Sequence, residues 1–393
     1  MLISIGLIFT LGLLFGELFR KWNLPGFLGM IIVGVALGPY ALDLIDQSIL
    51  SISTELRTIA LAVILLRAGL SLDIKDLKQI GKPAFFMAFI PATLEILVVA
   101  LLAPILFGIP LIEALLLGTV LSAVSPAVIV PKMIHLMEEG YGKEKRIPHL
   151  ILASASVDDI YVIVLFTSFL QMYQTGDFSL LGIALLPLSI LTGVVIGFIV
   201  GYLLAALFAV FRVRDTIKVL IILGAALILI ALQEDINKWI PFSSLLSVMV
   251  MGISFLNQAE ERALRLRNKY NKVWVFAELI LFVLVGSAVD IRVAIGAGAL
   301  ALLLLLSELI GRFIGVQISL VKTSLNTKER LFCGISYIPK ATVQAAIGSI
   351  PLMVGVPSGS LILAIAVLSI LVTAPLGALG IDLTYKKWLT LKH

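Results

Sequence analysis

The chain has 393 residues, is 60% hydrophobic and only 13% charged, and carries a formal net charge of +5. A soluble domain holds about 25% charged residues, so a soluble domain is excluded and residues 1–393 read as a single membrane domain. One cysteine, Cys333, excludes an internal disulfide and a cysteine-rich metal site.

Hydropathy divides the chain into thirteen apolar segments, near 2–19, 25–42, 53–71, 83–107, 110–137, 147–173, 178–211, 215–234, 240–258, 270–288, 293–320, 328–353 and 357–383. The expected fold class is therefore an all-α polytopic membrane protein of about 13 transmembrane helices. The first segment lacks a basic leader and ends in Glu17-Leu-Phe-Arg-Lys21, so it reads as a retained span. Twenty-two basic residues fall in one alternating set of loops, and only Lys238 and Arg292 in the other. By the positive-inside rule this predicts an outside N-terminus, a cytoplasmic C-terminus and a multi-pass place in the plasma or inner membrane. The basic residues are spread over short loops, so the partner implied is lipid and not nucleic acid.

In the fifth segment Pro126 falls near mid-membrane, within Leu121-Ser-Ala-Val-Ser-Pro-Ala-Val-Ile-Val-Pro131. In the twelfth, Pro339 does the same within Gly334-Ile-Ser-Tyr-Ile-Pro-Lys-Ala-Thr-Val-Gln-Ala-Ala-Ile-Gly348. Proline removes a backbone donor and clashes with the preceding turn. In lipid the freed backbone groups need protein or a watery cavity around them. Ser122, Ser125, Ser336, Thr342 and Gln344 are polar neighbours able to supply that. Each segment alone could be an ordinary proline kink. Together they form a pattern, because Glu95 precedes Pro126 by 31 residues and Arg312 precedes Pro339 by 27. The charged and broken segments recur seven segments apart, an odd offset that reverses orientation. Inverted repeats with two discontinuous crossing helices, enclosing a transport site, are the expected architecture.

The sixth segment carries Asp158-Asp159 about 12 residues from Ile147, roughly 17 Å along a helix and near the centre of a hydrocarbon core about 30 Å thick. One carboxylate there costs on the order of 3 kcal/mol, and such residues mark ion or proton paths. Adjacent helical side chains point about 100° apart. Asp159 is therefore read as the cation and proton carrier and Asp158 as its partner, bracing the half-helix ends near Ser125-Pro126. Ser125, Ser154 and Thr119 are candidates for the remaining Na+ or Li+ shell, although any one hydroxyl taken alone is better read as bonding to its own helix. Lys340 reads as compensation for half-helix C-terminal charge. Glu95 and Arg312 read as a separate buried ion pair, and Glu308, four residues before Arg312, as a competitor for it. Glu278 has no partner that can be assigned from sequence.

Three stretches, Val124-Ser-Pro-Ala-Val-Ile-Val-Pro131, Ser156-Val-Asp-Asp-Ile160 and Ile338-Pro-Lys-Ala-Thr-Val-Gln-Ala-Ala-Ile-Gly348, resemble the cation:proton antiporter superfamily, most closely its NHA branch of Na+/H+ exchangers. Glu95 and Arg312 also resemble that branch's buried acid–base pair. The resemblance implies a transporter and not an enzyme, with no cofactor, exchanging Na+ (or Li+) for protons in pH homeostasis. It further implies a homodimer and elevator-type alternating access. By this likeness the ion-translocating core is about 83–173 and 293–383, and the dimerisation scaffold about 1–71 and 178–288. Electrogenic bacterial relatives carry lysine where Arg312 stands. Arginine does not deprotonate in proteins, so electroneutral exchange is expected. A sodium-coupled organic-anion symporter, with Arg312 and Lys340 as anion anchors, is the alternative.

Overall fold

The computed structural model describes residues 1–71, 81–176, 180–211 and 213–391, and they are almost entirely helical. Lys75, Lys78, Arg212 and Lys392, four of the loop basic residues, lie outside the described residues. Helices run in the order α1 (Leu2–Lys21), α2 (Gly26–Leu37), α3 (Gln47–Ser51), α4 (Ser53–Gly69), α5 (Lys82–Phe107), α6 (Leu111–Ser122), α7 (Pro126–Glu139), α8 (Ile147–Thr175), α9 (Leu180–Val210) and α10 (Asp215–Ala231). They continue as α11 (Gln233–Asn237), α12 (Ser244–Gln258), α13 (Glu260–Ser287), α14 (Ile291–Ser319), α15 (Thr327–Ser336), α16 (Thr342–Ile347), α17 (Ile350–Met353) and α18 (Gly359–Trp388). Among the described residues, eight helical stretches are long and apolar enough to cross a membrane, with α6 and α7 together counting as one.

Contacts group the chain into two units. The first comprises Met1–Thr54, Asp76–Val162 and Leu281–His393; the second comprises Glu55–Lys75 and Ile163–Ile280. Within the first unit, α5 lies directly on α14. Gly311 and Gly315 permit this approach, since a Cβ on Gly315 would meet Pro91 Cα at 2.5 Å. Small residues spaced by four let membrane helices close to van der Waals contact. Around this pair an apolar core joins α7, α8, α15 and α18 through Ile129, Met133, Ile151, Phe332 and Ile381. Within the second unit, α9 packs on α12 by the same device, with Gly193, Gly197 and Gly201 facing Ser243, Ser247 and Met251.

Local chemistry sets where the helices of the first unit start and stop. Asn326 and Glu329 form a reciprocal capping box at the start of α15. Asp290 caps α14 by accepting from Arg292 N at 2.9 Å. Gly108 and Gly140 end α5 and α7 in the left-handed conformation, with φ of 67° and 85°. The order of a charged helix, a broken helix and a long helix occurs twice. It runs α5, α6/α7, α8 and then α14, α15/α16, α18.

Candidate functional site

Two interruptions of helix form the centre of the first unit. Ala123 and Ser125 are extended, with ψ of 140° and 111°, and Pro126 then opens α7. The residue before proline is pushed out of the helical region, and proline suits a first helical position because its missing donor would be unpaired there. Pro126 thus starts the second half-helix rather than kinking a continuous one. Pro339 sits inside the other interruption, between the end of α15 at Ser336 and the start of α16 at Thr342. The two breaks touch: Ser125 N donates to Pro339 O at 2.9 Å. A Cβ on Gly377 of α18 would collide with the Pro339 ring, so only glycine lets α18 lie against this break.

The backbone groups freed by both breaks find partners. Val124 N donates to Asp158 Oδ2 at 3.0 Å. Lys340 N donates to Thr373 Oγ1 at 3.0 Å. Gln344 serves both breaks, its Nε2 donating to Ala123 O at 2.7 Å and Leu121 O at 3.1 Å, and its Oε1 accepting from Ala341 N at 2.8 Å. Arg312 donates from Nε to Tyr337 O at 2.9 Å and from Nη1 to Ser122 O. An unmet backbone group at such depth is costly. A Gln344→Leu exchange therefore leaves three buried groups without their partner, each worth about 1–3 kcal/mol. The thermal midpoint of the detergent-solubilised protein should fall by several degrees; an unchanged midpoint would remove Gln344 from this role.

Charged groups form one connected network across the crossing. Arg312 Nη2 donates to Asp158 Oδ2 at 2.8 Å, and Arg312 Nη1 to Glu95 Oε2. Lys340 Nζ donates to the other oxygen of Glu95 and stands 3.9 Å from Glu308 Oε2. Glu95, Asp158, Glu308 and Lys340 are fully buried and Arg312 is 1% exposed. The guanidinium also lies over the Tyr337 ring, 5.3 Å from its centroid.

This arrangement differs from two expectations. The Glu95–Arg312 contact is not separate from the aspartates, because Arg312 spans Glu95 and Asp158. The cation nearest Glu308 is Lys340 and not Arg312, since both guanidinium Nη atoms are directed to other oxygens. Lys340 in turn presents its ammonium to carboxylates, while its backbone N–H is what bonds at the break. Glu278, on α13 in the second unit, interacts electrostatically with Arg67.

The hydroxyls considered for a cation shell divide. Thr119 Oγ1 donates to its own helix at Leu116 O, 2.8 Å away. Ser154 Oγ donates to Leu150 O at 2.6 Å and meets Tyr337 OH at 2.5 Å. The side chain on the break itself, Ser125 Oγ, is buried and makes no hydrogen bond, as are Thr342 Oγ1, Asp158 Oδ1 and Asp159 Oδ1. Asp159 is 6% exposed. Such oxygens are the donor type that hard cations take. Among the described residues no cluster of three or more His, Cys, Asp or Glu forms a metal centre. No sequence pattern marks Thr373 or Tyr337. A buried hydroxyl on a neighbouring helix carries no local pattern that marks it as a partner for a distant break.

The chain as a whole is similar to known proteins. The family described as sodium/hydrogen exchanger, transmembrane, matches residues 6–387. The chain is similar to human sodium/hydrogen exchanger 9B2, 33% identical over 387 residues, covering 92% of this chain and 69% of that protein. It is also similar to human sodium/hydrogen exchanger 9B1, 30% identical with coverage of 93% and 73%. The solved sodium proton antiporter MjNhaP1 from Methanocaldococcus jannaschii superposes with a TM-score of 0.85 at 20% identity, over 98% of this chain and 99% of that one.

Proposed function

The chain belongs to the sodium/hydrogen exchanger family, and from that premise we propose that it exchanges a monovalent cation, Na+ or Li+, for protons at Asp159. The observation that carries this reading is the orphaned Asp159 Oδ1, placed beside an aspartate that is tied to the helix crossing by Val124 N and Arg312. Among the described residues no protein cation pairs with Asp159, so a proton and a hard cation can compete for it. Asp158 holds the break and lends its second oxygen. Ser125 Oγ is the hydroxyl best placed to join the shell, ahead of Thr119 and Ser154, whose protons are directed to their own helices.

The two breaks, at Pro126 and Pro339, would move as one body because they are hydrogen-bonded to each other and to Arg312 and Gln344. This supports elevator-type alternating access by a core of about 83–173 and 293–383, against a scaffold of about 1–71 and 178–288 that forms a homodimer. The membrane reading retains an outside N-terminus and a cytoplasmic C-terminus in the plasma or inner membrane. Organic-anion symport is not carried, because Arg312 and Lys340 are both engaged by carboxylates.

Arg312 keeps its charge through the cycle, so it offers no second proton to release when a cation binds. We expect one-for-one exchange. In proteoliposomes a Na+ or Li+ jump should move protons, read with a pH dye, without current on a solid-supported membrane. A current accompanying the flux would overturn electroneutrality, and no flux with any monovalent cation would overturn the function.

A further inference from the structure

Glu308 is fully buried, and no N–H or hydroxyl group donates to either of its carboxyl oxygens; the group placed to share a proton with it is the carboxyl of Glu95. The charged groups facing it are Glu95 from α5, Lys340 from the break after α15, and Arg312 one turn along its own helix. From α18, Thr373 brings an uncharged hydroxyl to the same break through Lys340 N. Lys340 is 3.9 Å from Glu308 Oε2, beyond hydrogen-bond reach, and its ammonium donates to Glu95.

Charge counting gives this geometry its meaning. Arg312 and Lys340 bring two positive charges, and the carboxylates in direct contact with them, Glu95 and Asp158, bring two negative ones. Asp159 and Glu308 remain. Asp159 is slightly open and has unpartnered oxygens on its neighbours, so a metal cation can replace a proton there. Glu308 faces two cationic side chains and another acid, which is no cage for a metal ion. An ionised carboxylate without a hydrogen-bond donor does not persist in a dry interior. A proton is what this site can hold.

We propose that Glu308 is a second proton-binding site of this protein. Its carboxyl holds a proton that stays within the network, and by remaining neutral it leaves Lys340 on Glu95. When the proton leaves, Glu308 becomes a second carboxylate competing for the same ammonium, and the chain from Lys340 through Glu95 and Arg312 to Asp158 loosens from its far end. Glu308 is thus a positioning residue, and its proton is not one of the ions exchanged. The inference rests on the buried network and not on the exchange reading, so either can fail without the other.

The test uses the full chain in detergent or lipid. Infrared spectra of protein labelled with heavy-carbon glutamate should contain a protonated-carboxyl band that shifts with the label and is missing in Glu308→Gln. The same variant distinguishes a neutral acid from an ion partner by the sign of its stability change. A neutral glutamine replacing a neutral acid should leave the thermal midpoint at neutral pH no lower than the parent's. It should also remove part of the stability loss seen as pH rises, because the ionised form is the one the site does not favour. An ionised Glu308 paired with Lys340 predicts the reverse, a midpoint lower by several degrees and no missing band. That result overturns the proposal. A spectrum of unmutated protein with no glutamate acid band overturns it as well, whether or not the variant folds.

Discussion

Asp159→Asn should abolish sodium-driven proton movement while leaving the protein folded. Asparagine matches aspartate in size but cannot take up a proton in this pH range or offer a full negative charge to a cation. At an intermediate effective dielectric a unit charge pair about 4 Å apart is worth on the order of 4 kcal/mol, or roughly a thousandfold in affinity. Both limbs of exchange lose their site together, so dye-reported flux should fall to the level of empty vesicles at every pH. Stability should move the other way. Asp159 is buried with an oxygen to which no hydrogen bond is made, and neutralising such a carboxyl relieves a desolvation penalty. A thermal midpoint at or above that of the unmutated chain, with no flux, is the expected pair of results. Full exchange in the variant would move the cation site elsewhere.

Arg312→Met should be the most destabilising single change in the first unit. The guanidinium holds two carboxylates, Glu95 and Asp158, and two carbonyls, Tyr337 O and Ser122 O, one from each break. Methionine fills a similar volume and supplies no donor. Removing one partner of a buried pair costs about 3–5 kcal/mol, against a typical total of about 5–15 kcal/mol for a native protein. Fluorescence size-exclusion after a heating series should show a sharply lowered midpoint and poor recovery of monodisperse protein. Arg312→Lys retains the charge but has one nitrogen in place of a planar fork, so it should fall between the two. Adding Asp158→Asn to Arg312→Met should recover part of the loss, because Asp158 is the carboxylate that Arg312 leaves stranded while Glu95 keeps Lys340. A midpoint for Arg312→Met equal to the parent's would show that the network is not what holds the crossing together.

Particular residues show what could be read from the chain in advance. Pro126 and Pro339 announce their breaks because proline's sterics act on the neighbouring residues, whatever surrounds them. Asp158 and Asp159 stand out because two carboxylates within an apolar run are expensive wherever the helix lies. Thr119 and Ser154 show the limit. Their composition matches a cation shell as well as Ser125 does, and the direction each hydroxyl takes depends on the carbonyls and phenol around it. Gln344 could be seen as a polar residue near a break, but not as the side chain that joins both breaks.

The sequence by itself determined that this protein lives in a membrane, that two of its helices are interrupted, and that acids and bases are buried beside the interruptions. Those properties follow from the transfer cost of each residue and from short-range backbone sterics, both local quantities. Only the tertiary structure decided which charge meets which. Glu95 reaches Arg312 across 217 residues and Lys340 across 245, and Ser125 N meets Pro339 O from the other break. Ion pairing falls off within a few ångströms while the chain can bring any of these residues together. The single network linking Asp158, Arg312, Glu95 and Lys340, and the acid left over at Glu308, therefore arise from the crossing of the two broken helices.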